Sequence, residues 1–130
     1  MQLAIETNDV MHDCEGLGQL VGLRALHITE CGRLRDVAAL SSLADLRTLH
    51  LTSCKLRATS SLAAMSRLRS LNLAGNHFGE GGAASLAPSL APMAQLTSLN
   101  LGKNSIGEAG AASLAPSLAL MAQLTSIKLA

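Results

Sequence analysis

The side chains that could do chemistry in this 130-residue chain are three cysteines, four histidines and a set of regularly spaced arginines. The densest cluster is His12-Asp13-Cys14. Imidazole, carboxylate and thiolate are all metal ligands, but structural and catalytic metal sites need paired spacings that bring ligands together. One short run without a second pair does not supply them. His27 and His50 could share a metal or sense pH through mutual repulsion, and the simpler expectation is a pair of solvated surface histidines. Cys31 and Cys54 are candidates for a nucleophile only if something lowers their pKa. Arg24, Arg47 and Arg69 offer forked donors for carboxylate or phosphate. These residues recur at 22 or 23 positions, so they have to be read against a repeating frame.

That frame is set by five leucines: Leu23, Leu46, Leu68, Leu96 and Leu124, spaced 23, 22, 28 and 28 residues apart. The copies read LRALHITECGRL from 23, LRTLHLTSCKL from 46, LRSLNLAGNHF from 68, LTSLNLGKNSI from 96 and LTSIKLA from 124. A partial copy around Leu3, Ile5 and Asn8 precedes them. A fixed period of this length marks a chain that stacks units, each touching only its neighbours. The Leu-x-Leu alternation gives a short strand with one buried face. Copies that return to the same edge must run parallel. Six parallel strands are therefore expected near 3–5, 26–28, 49–51, 71–73, 99–101 and 127–129.

Asn8, Cys31, Cys54, Asn76 and Asn104 hold one equivalent position after each strand. The backbone turns inward there and leaves polar groups that the sheet does not pair. An asparagine amide can bond them, so these five are read as a structural ladder, with the cysteines as buried ladder residues.

The return segments divide the chain. DVAALSSLAD (36–45) and ATSSLAAMSR (58–67) allow only a helical turn or two. GEGGAASLAPSLAPMAQ (79–95) and GEAGAASLAPSLALMAQ (107–123) place Leu86, Leu90 and Met93, and Leu114, Leu118 and Met121, on a helical stripe. Pro88 and Pro116 are expected to bend or split those helices. The wider wall should curve the second half more strongly. Copies 68–95 and 96–123 agree at 21 of 28 positions, the mark of duplication rather than of an individually tuned site.

The pattern LxxLxLxxN/CxL resembles the leucine-rich repeat family across residues 1–130, weakly over 9–22. Residues 68–130 resemble its ribonuclease-inhibitor-like subtype, and residues 1–67 its shorter cysteine-containing subtype. The resemblance implies an α/β solenoid: a curved parallel sheet on the concave face, with helical turns and then true helices on the convex face. It implies a concave sheet that binds proteins, and it brings no catalytic residue. No capping segment is recognised at either end. The expectation is thus a single solenoid with apolar stack faces that favour self-association.

Bulk composition agrees. The chain has 26 Leu and 21 Ala, a single aromatic residue (Phe78), and 15% charged residues. Mean hydropathy is +0.33, but no run of 18 residues is free of charged or strongly polar side chains, so no membrane span is expected. The N-terminus is acidic, unlike a secretory leader, and an odd cysteine count points to a reducing, intracellular, cytoplasmic setting. Residues 23–70 hold eight bases against three acids, although the net charge is only +1. Without stacking aromatics those bases do not indicate nucleic acid. The expected function is a non-enzymatic protein-binding scaffold, without cofactor or metal, its partner presenting an acidic surface. Arg24, His27, Arg47, His50, Arg69 and Asn72 are the candidate contact residues, all before Leu96. The alternatives are an accessory domain of a GTPase activator of the Ran-activating kind, or part of a larger receptor or ubiquitin-ligase adaptor.

Overall fold

The computed structural model describes residues 1–6, 14–34, 37–56 and 59–130. Asn8, the first rung of the expected ladder, lies outside the described residues, as do His12 and Asp13 of the His-Asp-Cys cluster.

Six strands form one parallel sheet in chain order: β1 (Gln2–Glu6), β2 (Ala25–Thr29), β3 (Thr48–Thr52), β4 (Ser70–Asn72), β5 (Ser98–Asn100) and β6 (Ser126–Lys128). The register is the one that the repeat demands. Leu3, Leu26, Leu49, Leu71, Leu99 and Ile127 are successive partners, as are Ala4, His27, His50, Asn72, Asn100 and Lys128. Each return crosses behind the sheet. Short 3-10 turns at Glu15–Gln19, Ala38–Ser42 and Ser60–Ala64 serve the first three, and α1 (Gly79–Leu90) and α2 (Gly107–Ala119) the last two. The expected α/β solenoid, with turns giving way to helices, is what the chain forms.

Strands β2 and β3 run two residues further than β4 and β5. The cause lies in the column of outward side chains. Where that column holds His27 or His50, the backbone continues in the ladder. Where it holds asparagine, Asn72 Oδ1 accepts the Ala74 amide at 3.1 Å and Asn100 Oδ1 accepts the Gly102 amide at 2.9 Å. A side-chain acceptor that captures its own backbone two residues on replaces a sheet bond with a turn. β4 and β5 therefore end at the asparagine, one residue before the Leu-x-Leu alternation suggests.

The core is one aliphatic column between sheet and returns. Leu23, Leu46, Leu68 and Leu96 are fully buried beneath the strand entries, and Leu86 and Leu90 of α1, with Met93 just beyond it, close the wall. Both helices run unbroken through their prolines, so the expected split does not occur. Proline removes a bond to the carbonyl four residues back. Those carbonyls belong to Ala84 and Ala112, both exposed, where water can take the missing donor's place. Each helix also ends within a turn of its proline, which limits the loss.

At the inward turns after β3, β4 and β5 the backbone passes through the left-handed region on both sides of the ladder residue, and after β2 only before it, at Glu30 (φ 56°). Ser53 and Lys55 flank Cys54 (φ 55° and 54°), Gly75 and His77 flank Asn76 (73° and 59°), and Lys103 and Ser105 flank Asn104 (57° and 53°). For non-glycine residues that conformation is unfavourable. What offsets the cost is the set of bonds in the ladder. Asn76 Oδ1 accepts from the amides of Cys54 (3.0 Å) and Leu56 (3.3 Å), while its Nδ2 donates to the carbonyls of Leu51 (2.7 Å) and Leu73 (2.8 Å). Asn104 repeats the pattern one coil later, accepting from Asn76 N (2.8 Å) and donating to Leu73 O and Leu101 O (both 2.9 Å). Cys54 Sγ donates to Thr52 O (3.2 Å) and Ile28 O (3.6 Å), and Cys31 Sγ to Thr29 O (3.5 Å).

A second ladder, not anticipated from the sequence, ties the returns together. Ser61 Oγ donates to Val37 O (3.3 Å), Ser89 Oγ to Thr59 O (3.0 Å) and Ser117 Oγ to Ala87 O (2.8 Å). Its signal is a Ser-Leu pair at one repeat position, with the leucine buried or half-buried in the wall and the serine reaching the preceding coil.

Candidate binding face

Side chains at alternate strand positions project from the open face of the sheet. Three columns result: Gln2, Ala25, Thr48, Ser70, Ser98, Ser126; then Ala4 through Lys128; then Glu6, Thr29, Thr52. The leucine pattern does not draw attention to the first of these columns, whose small polar residues surround the histidines.

His27 and His50 stack with ring centroids 4.3 Å apart and an interplanar angle of 28°. Both are half-buried rather than freely solvated. His50 Nε2 lies 3.2 Å from Ser70 Oγ. Burial, and then the neighbouring His27, hold the His50 pKa below its ordinary value. The neutral form of His50 is thus favoured, and the adjoining imidazole adds to that preference. Thr52 Oγ1 donates to Thr29 Oγ1 at 3.2 Å beside them, which makes a second cross-strand pair on the same two strands.

The three arginines stand one residue before their strands, at the sheet entry. Their backbones are joined in line: Arg47 N bonds Arg24 O and Arg69 N bonds Arg47 O, each at 2.8 Å. Arg24 and Arg69 are exposed and Arg47 is half-buried. Arg47 Nε is buried without a hydrogen-bond partner among the described residues. Residues 25, 27 and 29 share the open face by their period of two, so the arginines border the histidine column at its N-terminal edge instead of lying within it. Asn72 does sit in that column, but its Oδ1 is committed to Ala74 and only its Nδ2 is left to face outward.

Little else on the described surface resembles a reactive site. The Cys54 thiol is pushed up to about 11, first by burial, and remains protonated. Cys14, Cys31 and Cys54 are all buried and unlinked. No group of three or more His, Cys, Asp or Glu side chains that could hold a metal is found among the described residues. Among them, too, no helix is long and apolar enough to cross a membrane. Arg67 pairs with Asp45 at 2.7 Å, but both are more than half exposed, and such pairs contribute little.

Residues 65–87 and 95–115 match the leucine-rich repeat family model. No curated protein matches the chain. Among solved structures, an internalin from Listeria monocytogenes is similar at 22% identity, with a TM-score of 0.49 and an alignment covering 98% of this chain. The chain spans about half of that internalin, 53% of its length.

Proposed function

We propose that this leucine-rich-repeat solenoid is a protein-interaction scaffold that holds its partner on the open sheet face and performs no catalysis. The observation that carries the reading is the arginine line. Arg24, Arg47 and Arg69 are bonded backbone to backbone at one edge of the face, and the middle one keeps a buried Nε–H without an acceptor. A buried donor without a partner is costly, and a carboxylate that reaches it gains a charge-assisted bond. An acidic protein segment crossing the strands would meet the arginines at one edge and the His27–His50 stack at the centre. Modest, salt-sensitive affinity is expected, because the face has no Trp or Tyr to anchor a partner.

The finer assignment also belongs to this proposal. The copies up to residue 67, with 3-10 returns, read as the cysteine-containing subtype, and those from 68, with α-helical returns, as the ribonuclease-inhibitor-like subtype. A reducing compartment suits three buried, unlinked thiols. No described arrangement favours the GTPase-activator alternative.

Affinity capture with the chain and with its Arg24→Glu/Arg47→Glu/Arg69→Glu variant tests the scaffold. Partners held by the native chain and lost by the variant are expected. Partners retained in full by a folded variant would sink this binding face.

A further inference from the structure

We propose that the hollow at the C-terminal ends of β3 to β6 is an acceptor for a carboxylate side chain of an acidic peptide segment. It encloses about 260 Å³ and is lined by Thr52, Ser53, Ala74, Gly75, Asn100, Gly102, Lys103 and Lys128. It deepens the scaffold reading, on which it rests, and places a contact on the far side of Leu96 from the arginine line.

The hollow follows from a change in one column of the sheet. Thr29 and Thr52 fill the third outward position of β2 and β3, but Ala74 and Gly102 hold it in the next two coils. Gly75 and Gly102 add no side chain to the floor. A Cβ on Gly75 would come within 2.8 Å of Ser53 Oγ, and one on Gly102 within 2.9 Å of Ala130 O and 3.2 Å of Lys128 Cε. Lys128 thus lies beside Gly102, where a larger residue would press on it and, more tightly, on the Ala130 carbonyl. Lys103 is held at the rim by the left-handed turn before Asn104.

These residues share the hollow without a resident acidic side chain. Neither lysine is paired with a carboxylate among the described residues, and no acidic side chain lines the hollow. Asn100 Oδ1 is engaged by the Gly102 amide, which leaves the Nδ2 hydrogens facing the space. Two lysines, an asparagine and a serine make the lining cationic and rich in donors. The volume lies below the roughly 300–1,000 Å³ of cofactor and drug-sized sites, so it suits one side chain and not a larger ligand. The chemistry shared by carboxylate and phosphate would satisfy the lysines, and the peptide is preferred because the hollow opens on the sheet face to which an extended segment would lie parallel.

The test is amide-resolved NMR of the full chain titrated with a blocked glutamate-containing hexapeptide, its glutamine counterpart, and inorganic phosphate. Saturable shifts at Gly75, Gly102 and Lys103 with the glutamate peptide alone are expected. The exposed pair Lys103→Gln/Lys128→Gln should keep the fold and weaken binding by about tenfold or more, as loss of a charge-assisted bond implies. Gly102→Ala should weaken it as well, by crowding the Ala130 carbonyl and the end of Lys128. Equal shifts with the glutamine peptide, or no effect of the lysine pair, would overturn the proposal. Shifts with phosphate and none with peptide would overturn it in favour of a simple anion site. If the peptides fail here while the arginine reversal still releases captured partners, the hollow is lost and the scaffold stands.

Discussion

Single polar groups weigh as much in this chain as buried leucines, because every coil must turn its backbone into the core. Asn76 shows the scale. Its Oδ1 is the acceptor for Cys54 N and Leu56 N, and its Nδ2 serves Leu51 O, so Asn76→Ala would strand three buried groups on the preceding coil. Each unsatisfied buried group costs about 1–3 kcal/mol, so a loss of about 3 kcal/mol or more is expected in urea unfolding. Leu73 O is doubly served, by Asn76 and Asn104, and should remain paired in either alanine variant. The titrating residues add a pH dependence at both ends of the scale. His50 has a folded pKa below its unfolded value near 6.5, so the unfolded chain takes up the proton first. Its contribution is present above that value and is lost as pH falls through the folded pKa. Denaturation midpoints should decline from neutral pH toward pH 5. His27→Asn should lessen the decline by removing the second cause but not the first. A flat profile, or one unchanged by that substitution, would contradict the stack as its origin. Cys54 acts in the opposite sense. Its thiol is raised from 9.0 to about 11 on folding, so its contribution is full below pH 9 and fades as pH rises toward 11. Native-state labelling of Cys54 at pH 8 should accordingly be slow and should follow opening of the coil.

Elements show where sequence was legible and where it was not. Strand positions, their parallel order and the change from turn to helix all follow from leucine spacing, since burial of one face leaves a single register open to each copy. What stayed hidden depends on a side chain's choice between bonds. Asn72 could serve a partner or its own backbone, and only the folded chain shows Oδ1 on Ala74. The hollow beside Gly102 was equally hidden, because it is made by residues that are small in two coils and a lysine that arrives from a third. The prolines misled for a related reason: their cost depends on whether the freed carbonyl faces water. Glycines in the two helices allow a test of how locally such rules act. Gly79 and Gly110 both belong to the entry of a helix, yet they do different jobs. At Gly79 (φ 65°) a Cβ meets open space, so Gly79→Ala should cost only the left-handed penalty of about 1 kcal/mol. At Gly110 a Cβ would fall 2.5 Å from Ile106 Cγ2 and 3.1 Å from Ala83 Cβ on α1, so Gly110→Ala should cost about 1–3 kcal/mol through overpacking. Thermal unfolding of the two variants measures the difference. A Gly110 variant as stable as the Gly79 one would show that α1 and α2 are held less closely than this spacing requires.

The whole molecule is a line of coils, and every pair of elements in contact belongs to consecutive repeats. Stability in such a stack is close to a sum of units and interfaces, so cooperativity is no stronger than the weakest junction. The junction that differs in kind from the others is where a 3-10 turn meets a helix, between Ser60–Ala64 and α1. It is joined by Leu68 below the sheet and by Ser89 Oγ, itself buried, on Thr59 O at 3.0 Å. Ser89→Ala would leave the Thr59 carbonyl without that donor where turn and helix meet, at a cost of about 1–2 kcal/mol. Leu68→Ala would open a cavity at the same junction for about 2–5 kcal/mol. The consequence peculiar to a stack is not the size of the loss but its shape. With the junction weakened, coils up to Leu56 and coils from Leu71 should unfold at separate denaturant concentrations, and the slope of each transition should fall, since each exposes less surface. Leu114→Ala removes the same atoms from α2 and should instead loosen one side while leaving the joint between the halves intact. Hydrogen exchange read along the chain distinguishes these cases: the Leu68 variant should lose protection in two blocks meeting near residue 60, the Leu114 variant only beyond residue 96. A single transition of undiminished slope in Leu68→Ala would mean that coupling along the core, from Leu23 to Met121, exceeds what neighbour contacts alone provide.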